Sequence, residues 1–205
     1  MKKLIPGIFL AFLFWFIMFS PWTSQLFNFW AVMLAATATL TIYSLILGKN
    51  DLKVVYNFKM SFILVGIIAA VGLYLLFYIG NSISNLIFNF SKGQVENIYA
   101  TKVQASRLLI GLSLFLWIGP SEEIFWRGFV QQNFGKKFGQ VKGFIITTAI
   151  YTLVHIWSFN FMLIMAALIC GLFWGWMYLR FKSVIPGIIS HALWDAVIFV
   201  ILPIT

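Results

Sequence analysis

The chain has 205 residues, of which 62% are hydrophobic and only 9% are charged, and its formal net charge is +9. Soluble domains carry about 25% charged residues, so this composition excludes an ordinary water-soluble domain, and it equally excludes a disordered, collagen-like or coiled-coil chain. The lone Cys170 excludes an intramolecular disulfide and any zinc site built from several cysteines. The class that remains is an integral membrane protein, whose apolar surface is covered by lipid.

Seven apolar stretches predict membrane-spanning helices, each close to the roughly 20 residues that cross a bilayer. They are residues 4–19, 27–47, 61–80, 108–130, 143–160, 161–178 and 184–203. The first resembles a signal peptide, but no A-x-A-like cleavage site follows it, so we expect it to be retained. The prediction is an all-α polytopic membrane protein, a bundle of about seven transmembrane helices. It forms a single domain over 1–205, with three N-terminal spans in 1–80 and a four-helix core in 107–205.

The positive charges predict the orientation of the spans. With the N-terminus in the cytoplasm, ten cations fall inside and three outside, which is the bias of the positive-inside rule. The ten are Lys2, Lys3, Lys49, Lys53, Lys59, Lys136, Lys137, Lys142, Arg180 and Lys182, and the three are Lys92, Lys102 and Arg107. We expect a bacterial plasma-membrane protein with the N-terminus inside and the C-terminus outside. A nucleic-acid partner is not expected, because it would need these cations on one soluble face.

Residues 81–106 are the longest stretch outside the predicted spans. Ile83, Leu86, Ile87 and Phe90 follow the i, i+3, i+4, i+7 spacing of an amphipathic helix. This spacing indicates a helix that lies on the membrane surface. Continuation of the third span through the same residues is an equal alternative.

Two small-residue patterns predict how the later helices pack. Gly171 and Gly175 form a G-x-x-x-G pattern, which lets the backbone of a neighbouring helix approach closely. Gly119-Pro120 predicts a kink in the fourth span, because proline lacks the N–H that the helix needs at that point.

Six ionisable residues lie within the last four predicted spans, where each costs at least about 2.5–3.5 kcal/mol on insertion scales. They are Glu122, Glu123, Arg127, His155, His191 and Asp195. At 1.5 Å per residue, Glu122, both histidines and Asp195 lie about 10–18 Å from the cytoplasmic edge, near the middle of the bilayer. We therefore expect three helices to bring these polar side chains together. Taken singly, a histidine within a membrane span more often forms a hydrogen bond between helices than acts as a catalyst.

Spacing within each helix predicts two pairs. Glu123 and Arg127 are four residues apart and can form an ion pair on one helix face, whereas Glu122 is turned about 100° away. His191 and Asp195 are also four residues apart and project to the same side of the last helix. We expect the Glu123–Arg127 pair to be structural, because its two charges neutralise each other.

Three motifs in the second half of the chain resemble those of a known family. They are Glu122-Glu123-x-x-x-Arg127, Tyr151-x-x-x-His155 and His191-x-x-x-Asp195. In this order they resemble the EExxxR, FxxxH and HxxxN patterns of the CPBP family, the CAAX-prenyl-protease (type II) and bacteriocin-processing, Abi-like intramembrane proteases. The resemblance covers about half of the chain. It departs from the pattern at Tyr151, where Phe is usual, and at Asp195, where the prenyl proteases have Asn and many bacterial members have Asp.

This resemblance implies an intramembrane endopeptidase that hydrolyses a peptide bond of a membrane-associated substrate. It implies Glu122 as the base that activates water, His155 as its helper, and His191 with Asp195 beside the carbonyl oxygen. The implied partners are the lipid bilayer and a peptide or protein substrate, either prenylated or a leader peptide. The departure at Asp195 weakens the inference of a prenylated substrate.

Charge counting leaves the metal question open at this point. Three carboxylates against Arg127 leave two uncompensated negative charges when both histidines are neutral. A carboxyl group is then protonated, a histidine is charged, or a divalent cation is bound. Glu122, His155, His191 and Asp195 are a reasonable set of zinc ligands. The resemblance nevertheless implies a glutamate-dependent mechanism, and we expect no required metal or other cofactor.

Two alternative functions come from other classes. The same acids and histidines suit a small proton-linked transporter, although the inverted repeats that are frequent in transporters are not evident. A non-catalytic membrane immunity or scaffold protein is the second alternative. The presence of Glu122, His155 and His191 favours catalysis over both.

Overall fold

The computed structural model describes residues 2–204 and is a bundle of α-helices with no β-strand in that range. The main helices are α1 (Leu4–Phe19), α2 (Phe29–Leu47), α3 (Ser61–Ile87), α4 (Ser91–Tyr99), α5 (Arg107–Phe138), α6 (Gln140–Ser158), α7 (Phe161–Phe181) and α8 (Ile185–Ile201). Each predicted apolar stretch forms a helix, which confirms the predicted fold class. The helices α2, α3, α5, α6 and α7 are long and apolar enough to cross a membrane, and α1 and α8 are shorter apolar helices.

The chain returns repeatedly to one end of the bundle, here called the cation-rich end. The Lys3 ammonium donates a hydrogen bond to the Leu47 carbonyl oxygen at 3.3 Å, and the Val184 N–H donates to the Val55 carbonyl oxygen at 2.9 Å. These contacts join the start of α1, the end of α2, the loop before α3 and the start of α8. All ten cations predicted to be cytoplasmic belong to the segments at this end.

The opposite end, here called the cation-poor end, contains the α1–α2 and α6–α7 connections and residues 88–106. The Trp30 indole donates to the Thr101 carbonyl oxygen at 3.0 Å, and the Asn160 amide donates to the Gln94 carbonyl oxygen at 2.8 Å. The main helices therefore alternate in direction, as the seven-span prediction requires. The predicted separation of ten cations from three is also present in the fold.

The region after residue 80 corrects one interpretation of the sequence. The predicted surface helix does not form over residues 83–90, because α3 continues without interruption to Ile87. The backbone becomes extended at Phe88, and the separate helix α4 begins at Ser91. The alternative of a continued third span is therefore the observed one. Residues 81–87 contain neither proline nor glycine, so the helix continues through them and keeps its backbone groups hydrogen-bonded.

Helix α5 passes through Gly119-Pro120 without ending. The helix widens to π-type hydrogen bonding over Leu114–Ile118 and again over Ile124–Gln131, on both sides of the proline. Such widening occurs often at functional sites. A Cβ added at Gly119 would lie 3.0 Å from the Ala192 backbone nitrogen, so glycine lets α5 and α8 pack with their backbones in contact.

The G-x-x-x-G pattern of α7 faces α6. A Cβ at Gly171 would lie 3.1 Å from Thr148 Cγ2, and one at Gly175 would lie 2.8 Å from the Phe144 ring. The predicted close packing at these two glycines is therefore confirmed. This packing sets the position of α6, which carries the second of the three motifs.

Candidate active site

The three motifs lie on α5, α6 and α8, and their polar side chains meet inside the bundle. Glu122, His155, His191 and Asp195 are buried, and all four line one cavity. Three helices thus bring these groups together, as the positions of these residues along their predicted spans indicate. Helices α1 and α7 also contribute contacts to the same region.

Glu122 is held by a hydrogen bond from α6. The Tyr151 hydroxyl donates to Glu122 Oε2 at 3.1 Å, and Oε1 accepts no hydrogen bond within residues 2–204. Tyr151 is the position where the family pattern has Phe, a departure visible in the sequence that did not by itself assign the hydroxyl a role. The structure gives the additional hydroxyl a specific contact with the proposed base. A buried tyrosine needs a partner for its O–H, and this was the signal available in the sequence.

The predicted ion pair between Glu123 and Arg127 is present. Arg127 Nη1 donates to Glu123 Oε1 at 2.8 Å, and both side chains are only 1% exposed. Arg127 Nη2 also donates to the Cys170 carbonyl oxygen at 3.3 Å, and the guanidinium lies 4.8 Å from the centre of the Tyr151 ring. The pair therefore joins α5 to α6 and α7, which supports a structural role for it.

Glu123 has a second partner that sequence reasoning missed. His191 Nδ1 donates to Glu123 Oε1 at 3.0 Å, while His191 Nε2 lies 3.5 Å from Asp195 Oδ2. The imidazole also stacks on the Trp174 ring with 3.6 Å between centroids, and the Trp174 indole donates to Ser190 Oγ at 3.1 Å. His191 is therefore fixed in orientation by Glu123 and Trp174, and it stands between two carboxyl groups.

Both ring nitrogens of His155 have hydrogen-bond partners. Nδ1–H donates to the Tyr151 carbonyl oxygen at 2.8 Å, and Nε2 accepts a hydrogen bond from the Trp15 indole N–H at 3.0 Å. A ring that donates through one nitrogen and accepts through the other is a neutral imidazole with a defined tautomer. His155 therefore has one partner on its own helix and a second partner on α1.

Trp15 lies on α1, which carries no ionisable residue and none of the three motifs. Its side chain is 1% exposed, and its ring lies edge-to-face against His155 and Trp126. Successive hydrogen bonds run from Trp15 to His155, from His155 to the backbone of Tyr151, and from the Tyr151 hydroxyl to Glu122. The position of Glu122 thus depends on contacts that begin in the first helix.

The candidate zinc ligands do not form a ligand set. Within residues 2–204, no group of three or more His, Cys, Asp or Glu side chains is arranged to hold a metal ion. His155 directs the lone pair of Nε2 toward Trp15, and His191 directs Nδ1 toward Glu123. The geometry of these residues does not fit the zinc site considered from the sequence. That the reaction needs no metal stays a prediction.

The comparison with known families agrees with the three motifs. Residues 104–197 match the family model described as Type II CAAX prenyl endopeptidase Rce1-like. The match covers α5, α6, α7 and most of α8, and it leaves α1–α4 outside. No curated protein matches the chain, and no solved structure matches it either. The resemblance to the CPBP proteases is therefore confirmed for residues 104–197, where this helical membrane protein is similar to the Type II CAAX prenyl endopeptidase Rce1-like family.

Proposed function

We propose that the chain is an intramembrane endopeptidase in which Glu122 activates a water molecule to hydrolyse a peptide bond of a membrane-associated protein. One observation carries this proposal. Glu122, His191 and Asp195 come from two helices and line the same cavity, whose other lining residues are mainly apolar. Hydrolysis inside a membrane needs a base, a donor for the oxyanion and room for the substrate, and this cavity brings the three together.

Glu122 is the proposed base. Tyr151 holds Oε2, so the carboxylate keeps one orientation while Oε1 is left to accept a proton from the attacking water. The same carboxyl group then donates this proton to the leaving amine, which restores the carboxylate. A carboxyl group that alternates in this way needs an apolar environment, and Glu122 is buried.

His191 and Asp195 are the proposed donors to the oxyanion. Glu123 accepts the Nδ1–H of His191, as a carboxylate does behind a catalytic histidine, and this orients Nε2 toward the cavity. With His191 protonated on both nitrogens and Asp195 protonated, Nε2–H and the carboxyl O–H both serve as donors. The charges of Glu122, Glu123, Arg127 and His191 then sum to zero, so no divalent cation is needed to balance them.

His155 is proposed to assist Glu122. In the free enzyme its Nε2 is bonded to Trp15, so a direct role in proton transfer requires this nitrogen to exchange the indole for water. Hydrogen bonds at catalytic groups commonly rearrange when substrate binds. Its Nδ1–H, bonded to the Tyr151 backbone, keeps the ring in place during such an exchange.

Peptide cleavage by the purified protein in detergent tests this proposal. We would screen a library of internally quenched peptides, with and without a C-terminal prenyl group, using the wild type and Glu122→Gln. Because a positioned base contributes about 10²–10⁴ to the rate, we expect Glu122→Gln to lose at least about a hundredfold in kcat. Glu96→Gln is the matched control, because Glu96 is exposed on α4 and does not line the cavity.

Two results would contradict the proposal. One is activity of Glu122→Gln within about threefold of the wild type, since loss of a true base cannot be so mild. The other is no cleavage of any library peptide by the folded wild type. Glu122-dependent proton uptake by proteoliposomes without cleavage would favour the transporter alternative instead.

A further inference from the structure

The cavity that contains the proposed catalytic groups extends toward one end of the bundle only. Its volume is about 930 Å³, and its floor is formed by Glu122, Trp174, His191 and Asp195. Its walls are the halves of the long helices that are nearest the cation-poor end. Residues at or near its mouth include Gln25, Asn97, Val103, Gln104, Asn160 and Ile204. All of these lie in segments at the cation-poor end.

The floor is closed toward the cation-rich end. Glu123 and Arg127 lie next to it and are each 1% exposed, and Trp126 is fully buried. A Cβ at Gly187 would lie 2.8 Å from Glu123 Oε2, so α8 packs tightly against this pair. Of the cavity-lining residues in the described part of the chain, none comes from the segments at the cation-rich end.

Helix α4 holds the mouth of the cavity in place. Gln94 on α4 accepts hydrogen bonds from the Asn160 side chain and from the Met162 backbone N–H, at the start of α7. Tyr99 donates its hydroxyl to the Ile198 carbonyl oxygen at 2.9 Å. Burial raises the pKa of the Tyr99 phenol, so this group remains a hydrogen-bond donor at neutral pH. These hydrogen bonds fix the positions of the residues around the opening.

The distribution of charge tells which side of the membrane the mouth faces. Ten cations lie at the cation-rich end and three at the cation-poor end, and the positive-inside rule places the cation-rich end in the cytoplasm. The mouth is at the other end. We infer that the peptide substrate reaches Glu122 from the non-cytoplasmic side of the membrane, as a segment of an exported or membrane-anchored protein.

The lining also indicates the chemistry of that segment. No Lys or Arg of residues 2–204 lines the cavity, whose walls are mainly aromatic and aliphatic and whose floor carries Glu122 and Asp195. A charged substrate side chain of either sign would lose water against the apolar walls, and the lining offers no Lys or Arg to pair with an acidic one. The volume lies at the upper end of the roughly 300–1,000 Å³ that is usual for ligand pockets. An extended, uncharged and largely apolar stretch of peptide fits it.

This inference rests on the proposed function for its substrate, but the side on which the cavity opens can be measured separately. We would place single cysteines in a Cys170→Ala background, at Val103→Cys and Lys92→Cys on the cation-poor side and at Lys137→Cys on the cation-rich side. Val103 lines the cavity and is 89% exposed, and Lys137 is exposed as well. A membrane-impermeant maleimide is added to right-side-out membrane vesicles, before and after permeabilisation.

We expect positions 92 and 103 to react without permeabilisation and position 137 to react only after it. The reverse pattern would place the mouth in the cytoplasm and overturn the inference, whether or not the protein cleaves peptides. This readout depends on the fold alone, so it stays informative even when every catalytic assay is negative.

Blocking the mouth then tests the route to Glu122. Each cysteine variant is purified in detergent, modified with a maleimide-linked polyethylene glycol, and compared with its own unmodified form on an uncharged apolar peptide from the library. Modification at position 103 should reduce cleavage at least about tenfold, because the polymer obstructs a site that encloses most of its ligand. Modification at position 137 should leave cleavage unchanged.

The two failures are distinguishable. No cleavage by any unmodified variant would count against the proposed function, and the labelling pattern would still decide the side of the opening. Active enzyme that is unaffected by the polymer at position 103, or that loses activity only with the polymer at position 137, would overturn the inferred route and leave the proposed function intact.

Discussion

The helices α1–α3 and α5–α8 are built from similar apolar residues but are used differently. In an apolar stretch of 18 residues, 22% of α3 is buried inside the bundle, against 50% of α5. Helix α3 is therefore peripheral and α5 is central. The ionisable residues of the site all lie on α5, α6 and α8, in the part that matches the protease family. Yet Trp15 of α1 completes the hydrogen bonding of His155. A helix without any ionisable group can therefore still determine the geometry of a polar site.

The largest effect, on stability, is expected when the buried ion pair of α5 is broken. Arg127→Ala leaves Glu123 buried without its main partner, and breaking a buried pair costs about 3–5 kcal/mol in the free energy of unfolding. Lys136→Ala is the matched control, because its pair with Asp51 is partly exposed and such pairs contribute about 0–1 kcal/mol. Folded yield by size-exclusion chromatography and thermal unfolding measures both. A well-folded but inactive Arg127→Ala protein would tell against the structural role.

The Asp195 variants should give the next largest effect, in activity. We expect Asp195→Ala to lose about a hundredfold or more, because it removes a donor to the oxyanion. Asp195→Asn should keep at least about a tenth of the wild-type activity, since an amide replaces a protonated carboxyl group as a donor. Measurement of kcat and of bound zinc, for the wild type and for both variants, tests this expectation. A hundredfold loss in the Asn variant, together with zinc that is bound by the wild type and not by the variant, would indicate a metal ligand instead.

Trp15→Phe tests whether α1 belongs to the functional region. The change keeps an aromatic ring and removes the N–H that His155 accepts, and we expect a fall of about tenfold in kcat because one neutral hydrogen bond contributes about 0.5–1.5 kcal/mol. Trp126→Phe is the control, since that indole is equally buried and its N–H has no partner within residues 2–204. Equal effects of the two changes would show a packing role only. Higher activity of Trp15→Phe would mean that Trp15 masks His155.

The smallest effect is expected for Tyr151→Phe, which restores the residue of the family pattern. Loss of the hydroxyl leaves the Glu122 carboxylate less firmly positioned, which lowers the rate. It also removes a hydrogen bond that makes this carboxylate a weaker base, which raises the rate, so the two consequences oppose each other. We expect about a threefold fall in kcat with unchanged KM, within the range of a modest change in base strength and position. Tyr178→Phe, which loses a buried hydrogen bond to Gln132 away from the cavity, serves as the comparison. A change in KM alone would indicate that Tyr151 contacts the substrate instead.

Sequence alone predicted the helical stretches, the separation of charge between the two ends, the Glu123–Arg127 pair and the convergence of six polar residues. These features depend on hydropathy, charge and spacing along one helix, all of which are local properties of the chain. The three motifs added the family and the roles that it implies. The end of α3 was less certain, because residues 81–87 mix apolar and polar side chains and contain no proline or glycine to end the helix.

Tertiary structure decided the contacts that orient the site. His155 and Trp15 are 140 positions apart, and Glu123 and His191 are 68 apart. Each contact depends on how a helix is rotated about its axis. In a membrane the lipid-facing and packing faces are similarly apolar, so hydropathy does not specify that rotation. The direction in which the cavity opens has the same origin, since it depends on which halves of the helices separate and which remain packed.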